Sequence, residues 1–443
     1  MLNHFPRIGP FLKKYSSFIS RTSVLAVLAA VNLLVAFLYQ WYIALVNGPG
    51  RETDALFAGM VVPTLVLAVV GGSLTFVLIP MLSTRSGADF SDDSWNFFQL
   101  MGVVFSVFSL VLFLTSSVWV AWTVPGFDPP TVALAVGLVR IQLFGIVFTG
   151  LTGVLHAANL ARRRFIFVEL VSIGGNVLGF LFLIWALPRY GIKAAAWAMV
   201  VRMMLQTVFL IPTLGPYRKP NWKTPSVKTA WARLRPLLAG TSYYRTDQLV
   251  DRILASLAPR GFLTFLHLSQ QFYNSGNMIL SKAISTPMVP VLANFACQEK
   301  WKEFRAYVIK RLILLSAITG FCFCLLVVLG KPGLSLVFAH RQFSQDNVRD
   351  LWVLLVALGG VLIAGSLGQI LSSSFYAQGN TKTPTRIGMI GFTLGLGLKI
   401  GGFFIKGVLG LAIGTSIYQF LVAVVLYIYL KKEIARKMTA ASR

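Results

Sequence analysis

Six polar residues, His267, Gln270, Asn274, Asn277, Ser281 and Ser285, recur every three or four positions along one otherwise apolar segment, with Thr264 and Lys282 at the edge of the stripe. That spacing puts them on one face of a helix. Amides, an imidazole and hydroxyls can hydrogen-bond sugars, water or another polar cargo. In hydrocarbon an unpaired polar group costs several kcal/mol, roughly, so the stripe must face water or a polar cargo. It reads as one wall of a passage through a membrane.

Six basic residues also fall inside apolar segments: Arg140, Arg202, Arg245, Arg252, Lys282 and Lys399. A charge near the bilayer centre costs about 2.5 to 3.5 kcal/mol even on insertion scales, so such a residue either serves a function, pairs locally or snorkels to an interface. Counted from the predicted helix ends at about 1.5 Å per residue, Arg140, Arg202 and Arg245 lie near mid-membrane, where snorkelling is hard. They are candidate cavity residues. For Arg252, Lys282 and Lys399 cavity and interface both stay open. Arg245 and Arg252, seven apart, share a helix face with Gln248, while Asp247 and Asp251, four apart, fall on the other side. The two carboxylates either pair with Arg or Tyr groups of neighbouring helices, or titrate or bind Na⁺ and couple an H⁺ or Na⁺ gradient to transport. Glu169 is expected to pair with Arg162, Arg163 or Arg164, and Thr53 or Asp54 to cap the helix that follows the turn Gly48-Pro49-Gly50. The cationic excess suits an anion such as a phosphate or diphosphate. A cation exporter would be expected to carry the reverse.

What positions these residues is a set of membrane-spanning helices. Of 443 residues, 56% are hydrophobic and 12% charged, and the mean hydropathy is +0.73. About 20 apolar residues cross a bilayer core, and twelve such spans can be placed, at 22–46, 55–80, 97–122, 131–157, 166–187, 193–213, 235–257, 261–295, 306–330, 350–377, 385–405 and 408–430. The first is too long for a signal-peptide core and no A-x-A site follows it, so no cleavable signal is expected. The net charge of +26 raises the question of nucleic acid, but its distribution answers it. With the N-terminus inside, 26 of the 40 Lys and Arg fall in cytoplasmic segments and only 8 in outer loops. That is the positive-inside pattern, with both termini cytoplasmic. Attraction to anionic lipid is the further effect expected, and no nucleic-acid partner.

The second half of the chain echoes the first. Ile79-Pro80-Met81-Leu82-Ser83 corresponds to Val289-Pro290-Val291-Leu292-Ala293, Gly150 to Gly153 to Gly365 to Gly368, and Gly191 to Ala196 to Gly407 to Ala412. Both halves hold six spans and start on the same side, so the repeats are parallel. Residues 1–214 form an N-terminal lobe, 215–236 a basic cytoplasmic linker with four prolines, and 237–443 a C-terminal lobe. The expected fold is thus an all-α polytopic membrane protein of about 12 helices in two six-helix lobes around a central cavity. Gly71-Gly72, Pro63, Gly276 and Pro287 are expected bends. Cys297, Cys322 and Cys324 read as small apolar core residues, and the scattered histidines supply no metal site. No nucleophile with a nearby His, no phosphate loop and no soluble domain for an ATPase is present, which points to a transporter rather than an enzyme.

Three stretches resemble the MurJ/MviN lipid flippase family. Gly48-Pro-Gly-Arg-Glu-Thr-Asp54-Ala-Leu-Phe57, with Pro63 and Ile79-Pro80, is similar to its signature across the first two helices. Asp251-Arg-Ile-Leu-Ala-Ser256, Gly261-Phe-Leu-Thr-Phe265 and Ala283 to Pro290 resemble its seventh and eighth helices, and Phe375 to Pro384 its loop between the tenth and eleventh. The resemblance implies membership of the multidrug/oligosaccharidyl-lipid/polysaccharide (MOP) exporter superfamily, a MATE-like fold and lobes that rock around the cavity. Members that move lipid II typically carry arginines along helix 1 and an Arg pair in helix 2. Here those stretches read Ala30 to Tyr39 and Leu65 to Val70, without cations, and Gln270-Gln271 stands where an Asp-Arg pair is expected. Nor do two further helices, which in that family form a groove for the lipid tail, follow the twelfth span.

The reading is a flippase for a polyprenyl-diphosphate-linked glycan, lipid II-like or a polysaccharide repeat unit, working as a monomer in the bacterial cytoplasmic membrane by alternating access. Arg140, Arg202, Arg245 and Arg252 are expected to grip the diphosphate and the stripe to bind sugars, with the lipid tail left in the bilayer. A drug or cation antiporter using Asp247 and Asp251, or a scaffold for glycan synthesis, are the alternatives.

Overall fold

The computed structural model describes residues 9–338 and 343–441, with the side chains of 9–23, 26, 67, 68, 70–72, 75, 76, 235–245, 282, 286, 440 and 441 outside the description. The first lobe comprises α1 (Gly9–Asn47), α2 (Arg51–Gly59) with α3 (Val61–Ser83), α4 (Gly87–Leu114) with α5 (Ser116–Thr123), α6 (Pro129–Ala161), α7 (Phe165–Tyr190) and α8 (Ile192–Leu210). The second comprises α9 (Pro225–Ser256), α10 (Phe262–Leu280) continued by α11 (Thr286–Cys297), α12 (Trp301–Phe338), α13 (Gln345–Ala357) with α14 (Gly359–Tyr376), and α15 (Lys382–Ala441). Non-helical backbone at Lys406 and at Gly407, whose φ is +58°, folds α15 into two antiparallel arms. Six crossings per lobe result, as the hydropathy predicts. Large apolar side chains such as Leu114, Trp122, Val328, Leu336, Phe404 and Ile405 stand exposed. A surface this apolar is stable only against lipid.

Between α10 and α11 the helix widens into a π segment, Ser281–Ser285. Pro287 follows it, and a proline has no N–H to close the preceding turn and crowds the carbonyl four residues back, so the ladder loosens there. Gly71-Gly72, expected as a bend, lies inside α3 instead; the break in that crossing falls at Met60, beside Pro63. Cys297, Cys322 and Cys324 are exposed rather than core residues, because they sit on outward faces of α11 and α12.

The basic linker is not free-standing. Its helix begins at Pro225, and Val227, Ala230 and Leu234 pack on Leu74, Val77 and Leu78 of α3 and Phe97 and Met101 of α4. Polar contacts hold the same segment: Arg218 pairs with Asp92 at 3.1 Å, Ser226 Oγ donates to Asp93 at 3.1 Å, and Asn221 N donates to Asn96 at 2.7 Å. The near end of α9 therefore belongs to the first lobe by contact, and the far end to the second.

The arms of α15 meet backbone to backbone. A Cβ built on Gly402 falls 2.3 Å from the Gly410 carbonyl oxygen, and one on Gly414 falls 2.6 Å from that of Leu398. Neither helix can yield without moving whole. Gly402→Val is therefore expected to cost about 1 to 3 kcal/mol or more, seen as a melting temperature several degrees lower in detergent.

Candidate functional site

At the end of the bundle where α1 turns into α2, three loops interlock. Gly50 N donates to Thr53 Oγ1 at 3.0 Å and Thr53 Oγ1 to Gly48 O at 2.9 Å, so the turn before α2 is capped by Thr53. Asp54 is left free for another task. Its Oδ2 accepts from Gly261 N at 2.6 Å, and its Oδ1 accepts from Thr264 N at 2.8 Å and Thr264 Oγ1 at 2.5 Å. A carboxylate of the first lobe thus sits on the amino end of α10 in the second, where unpaired backbone N–H groups favour an anion. Of the two residues expected to cap this helix, Thr53 does so and Asp54 does not: its partners lie more than 200 residues away, beyond any local pattern. Gly261 has a φ of +92°, and a side chain there would press on Pro49. Beside it, Gly126 N donates to Ser256 Oγ at 3.3 Å, and a Cβ at Gly126 would fall 2.1 Å from Ser256 O.

The rim of this seam is weaker. Arg260 meets Asp128 at 3.4 Å, with 70% and 38% of their side chains exposed. The Asp128 carboxyl is held below its usual range mainly by the Thr131 hydroxyl, with smaller help from Arg260 and Arg51. Solvent screens such a pair, so Arg260→Ala is expected to change stability by less than about 1 kcal/mol. An essentially unchanged melting curve is the readout.

Just inside the seam lies a cavity of about 70 Å³ between the lobes. Phe57, Met60, Val61 and Thr64 line it from the first lobe, and Gln248, Arg252, His267, Gln270, Gln271 and Asn274 from the second. Arg252 is only 6% exposed. Its Nη2 lies 2.5 Å from His267 Nδ1, and His267 Nε2 lies 2.7 Å from Gln40 Oε1 of α1. A guanidinium can only donate, so Nδ1 accepts and the imidazole proton sits on Nε2, donating to Gln40. The Phe57 ring stacks on His267 at 4.3 Å. Nε and Nη1 of Arg252 have no hydrogen-bond partner. A buried guanidinium with two unmatched donors is a ready anion site.

The other face of α9 holds ions of both signs. Lys399 Nζ lies 2.6 Å from Asp247 Oδ1 and 2.9 Å from Asp251 Oδ1, and Asp251 Oδ2 accepts from Gln270 Nε2 at 2.6 Å. Among the described residues no arginine forms an ion pair with either carboxylate; the cation is instead an unexpected one, a lysine from α15. Tyr418 is also in hydrogen-bond reach of Asp247.

Not every candidate gathers here. Arg140 is held by Ser116 at 3.0 Å and stands over the Phe113 ring, within the first lobe. Arg202 lies under the Tyr39 ring at 5.4 Å, its Cβ against Gly179. Counting residues from a helix end gives depth but not azimuth, and both arginines face helices of their own lobe. Asn277 likewise turns to α14, donating to Val361 O at 3.0 Å and accepting from Ser366 at 2.6 Å. Ser285 is buried. Among the described residues, the stripe lines the cavity from His267 to Asn274. The side chains of Arg245 and Lys282 lie outside the described residues. Among the described residues no ion pair joins Glu169 to Arg162, which lies instead 3.8 Å over the Phe90 ring.

An apolar crevice of about 380 Å³ opens next to the cavity, lined by Leu33, Leu34 and Phe37 of α1, by Phe272 and Ile279 of α10, and by α12 and α14. Asn274, on the cavity wall, lies two residues from Phe272, so the polar and apolar spaces adjoin along α10.

Comparison with known proteins agrees with this architecture. A probable lipid II flippase MurJ of Vibrio cholerae serotype O1 is 28% identical over 231 residues, 52% of this chain and 44% of that protein's length. A probable lipid II flippase MurJ of Bdellovibrio bacteriovorus is 25% identical over 409 residues, 86% of this chain and 76% of that protein. Among solved structures, the lipid II flippase MurJ in an inward closed conformation superposes with a TM-score of 0.80 at 18% identity, covering 93% of this chain and 89% of that one. An inward-facing multidrug resistance MATE transporter of the MOP superfamily gives 0.77 at 13% identity, covering 94% and 95%, and an outward-facing one 0.63 at 15%, covering 94% and 96%. The profile of the lipid II flippase MurJ family matches residues 43–442, nearly the whole chain, and the protein belongs to that family.

Proposed function

We propose that the protein flips a polyprenyl-diphosphate-linked glycan across the bacterial cytoplasmic membrane by alternating access. The observation that carries this reading is Arg252, buried between the lobes with two free donors and a rim of Gln248, Gln271 and Asn274. The guanidinium suits a diphosphate and the amides suit sugar hydroxyls. Family membership supports the same cargo class, which is the one the relatives' names state. The apolar crevice between α1 and α10 offers the lipid tail a place beside the headgroup, so the diphosphate enters while the tail stays among apolar side chains.

The positive-inside distribution supports a cytoplasmic basic end and an outward-facing Asp54 seam. In that orientation the seam is the element that must part for release. The cavity next to it holds only a few waters, roughly, so a glycan reaches this level only as the lobes separate. The antiporter reading needs carboxylates able to meet a cationic cargo, and Asp247 and Asp251 are already engaged by Lys399.

Two depletion strains test the proposal. Cells depleted of their lipid II flippase and cells lacking a polysaccharide-repeat flippase are each supplied with this chain. Rescue of either supports the reading and names the cargo. Failure in both, with the protein shown to be inserted, overturns it.

A further inference from the structure

The two carboxylates on α9 sit one helical turn apart and repel, and Asp251, whose side chain is 3% exposed, has no access to bulk counter-ions. Such a pair needs a cation. The chain supplies one of its own: Lys399, with 0% of its side chain exposed, donates to Asp247 and Asp251 from between them. Its position is built by glycines. Gly402, Gly410 and Gly414 bring the arms of α15 into backbone contact on either side of it, and Gly395 leaves room for the Tyr418 ring, which lies 5.5 Å from Nζ. Gln270 completes the ring of partners from α10.

We propose that Lys399 is a tethered counter-cation occupying the place a free monovalent cation would otherwise take, so that this protein works without Na⁺. A tethered ammonium cannot diffuse away, so while these ion pairs are made the triad ties α9 to α15. This holds whatever the cargo is.

The test compares NaCl with choline chloride at equal ionic strength. The purified wild-type protein is expected to melt within about a degree in the two salts, as is Lys399→Arg. Lys399→Met keeps the volume and removes the charge, which leaves a vacant site between two carboxylates; it is expected to melt several degrees lower in choline and to recover in Na⁺. Adding Asp251→Asn should abolish that recovery. A Na⁺-specific stabilisation of the wild type, or a folded K399M that does not respond to Na⁺, overturns the proposal. If K399M is recovered in neither salt, Lys399→Gln, whose amide still donates to one carboxylate, takes its place, and no Na⁺ response in that variant is equally decisive. Flipping by the wild type in proteoliposomes should differ less than twofold between the salts. A larger dependence on Na⁺ overturns the proposal without touching the cargo assignment.

Discussion

Asp54→Asn is expected to abolish transport while the protein still inserts, because it opens the seam between α2 and α10. The carboxylate accepts from three donors, two of them backbone amides at the start of α10. Asparagine offers one acceptor and turns an NH₂ group toward an N–H, so at least one buried donor loses its partner. A hydrogen bond to a charged group is worth about 1.5 to 3 kcal/mol, so losing one shifts the balance of closed and open forms by roughly ten- to a hundredfold, at about 1.4 kcal/mol per factor of ten. The measurement is labelling of Ser256→Cys by a membrane-impermeant maleimide, in a background free of Cys297, Cys322 and Cys324. Ser256 is 2% exposed behind the seam. Labelling should be slow with Asp54 intact and fast in D54N. Equal rates, together with normal transport, would remove the seam from the mechanism.

Arg252→Gln is the second large effect, and it should strike cargo binding. Two of the guanidinium's donor atoms have no partner in this closed form. If they serve the diphosphate, their loss weakens binding of a polyprenyl-diphosphate-linked glycan by about 10- to 100-fold, at 1.5 to 3 kcal/mol for a charged hydrogen bond. Arg252→Lys keeps the charge but not the fork that reaches His267 and a ligand together, so an intermediate value is expected. Affinity is measured by titration in detergent and stability by melting of the same samples. A drop in stability with unchanged affinity would reduce Arg252 to a structural role.

How far the sequence foretells these residues depends on the range of the interaction. About twelve spans and the turn at Gly48 to Gly50 follow from apolar run length and local turn chemistry, and the all-helical structure is consistent with them. The pairing of Gln248 with Arg252 on one face of α9, and of Asp247 with Asp251 on the other, follows from helical periodicity alone. What periodicity cannot give is the neighbour. Lys399 finds its carboxylates about 150 residues away, and Asp54 its amides over 200 residues away. Arg140 and Arg202 show the converse, since depth is additive along a helix while azimuth depends on which helix packs alongside. A signal for the lysine was present in the glycines around it, which pack the arms of α15 too closely for a charge to escape to lipid.

Apart from the Asp54 carboxylate, the seam is built largely from main chain and close backbone approach. Two of the donors to Asp54 are main-chain groups, and Gly126 and Gly261 admit a neighbouring backbone instead of presenting chemistry of their own. A closure of that kind is indifferent to what travels beneath it. Cavity-wall residues such as Gln270 and Gln271 can then be exchanged for others without disturbing the latch, so a lineage can change its cargo while inheriting its door.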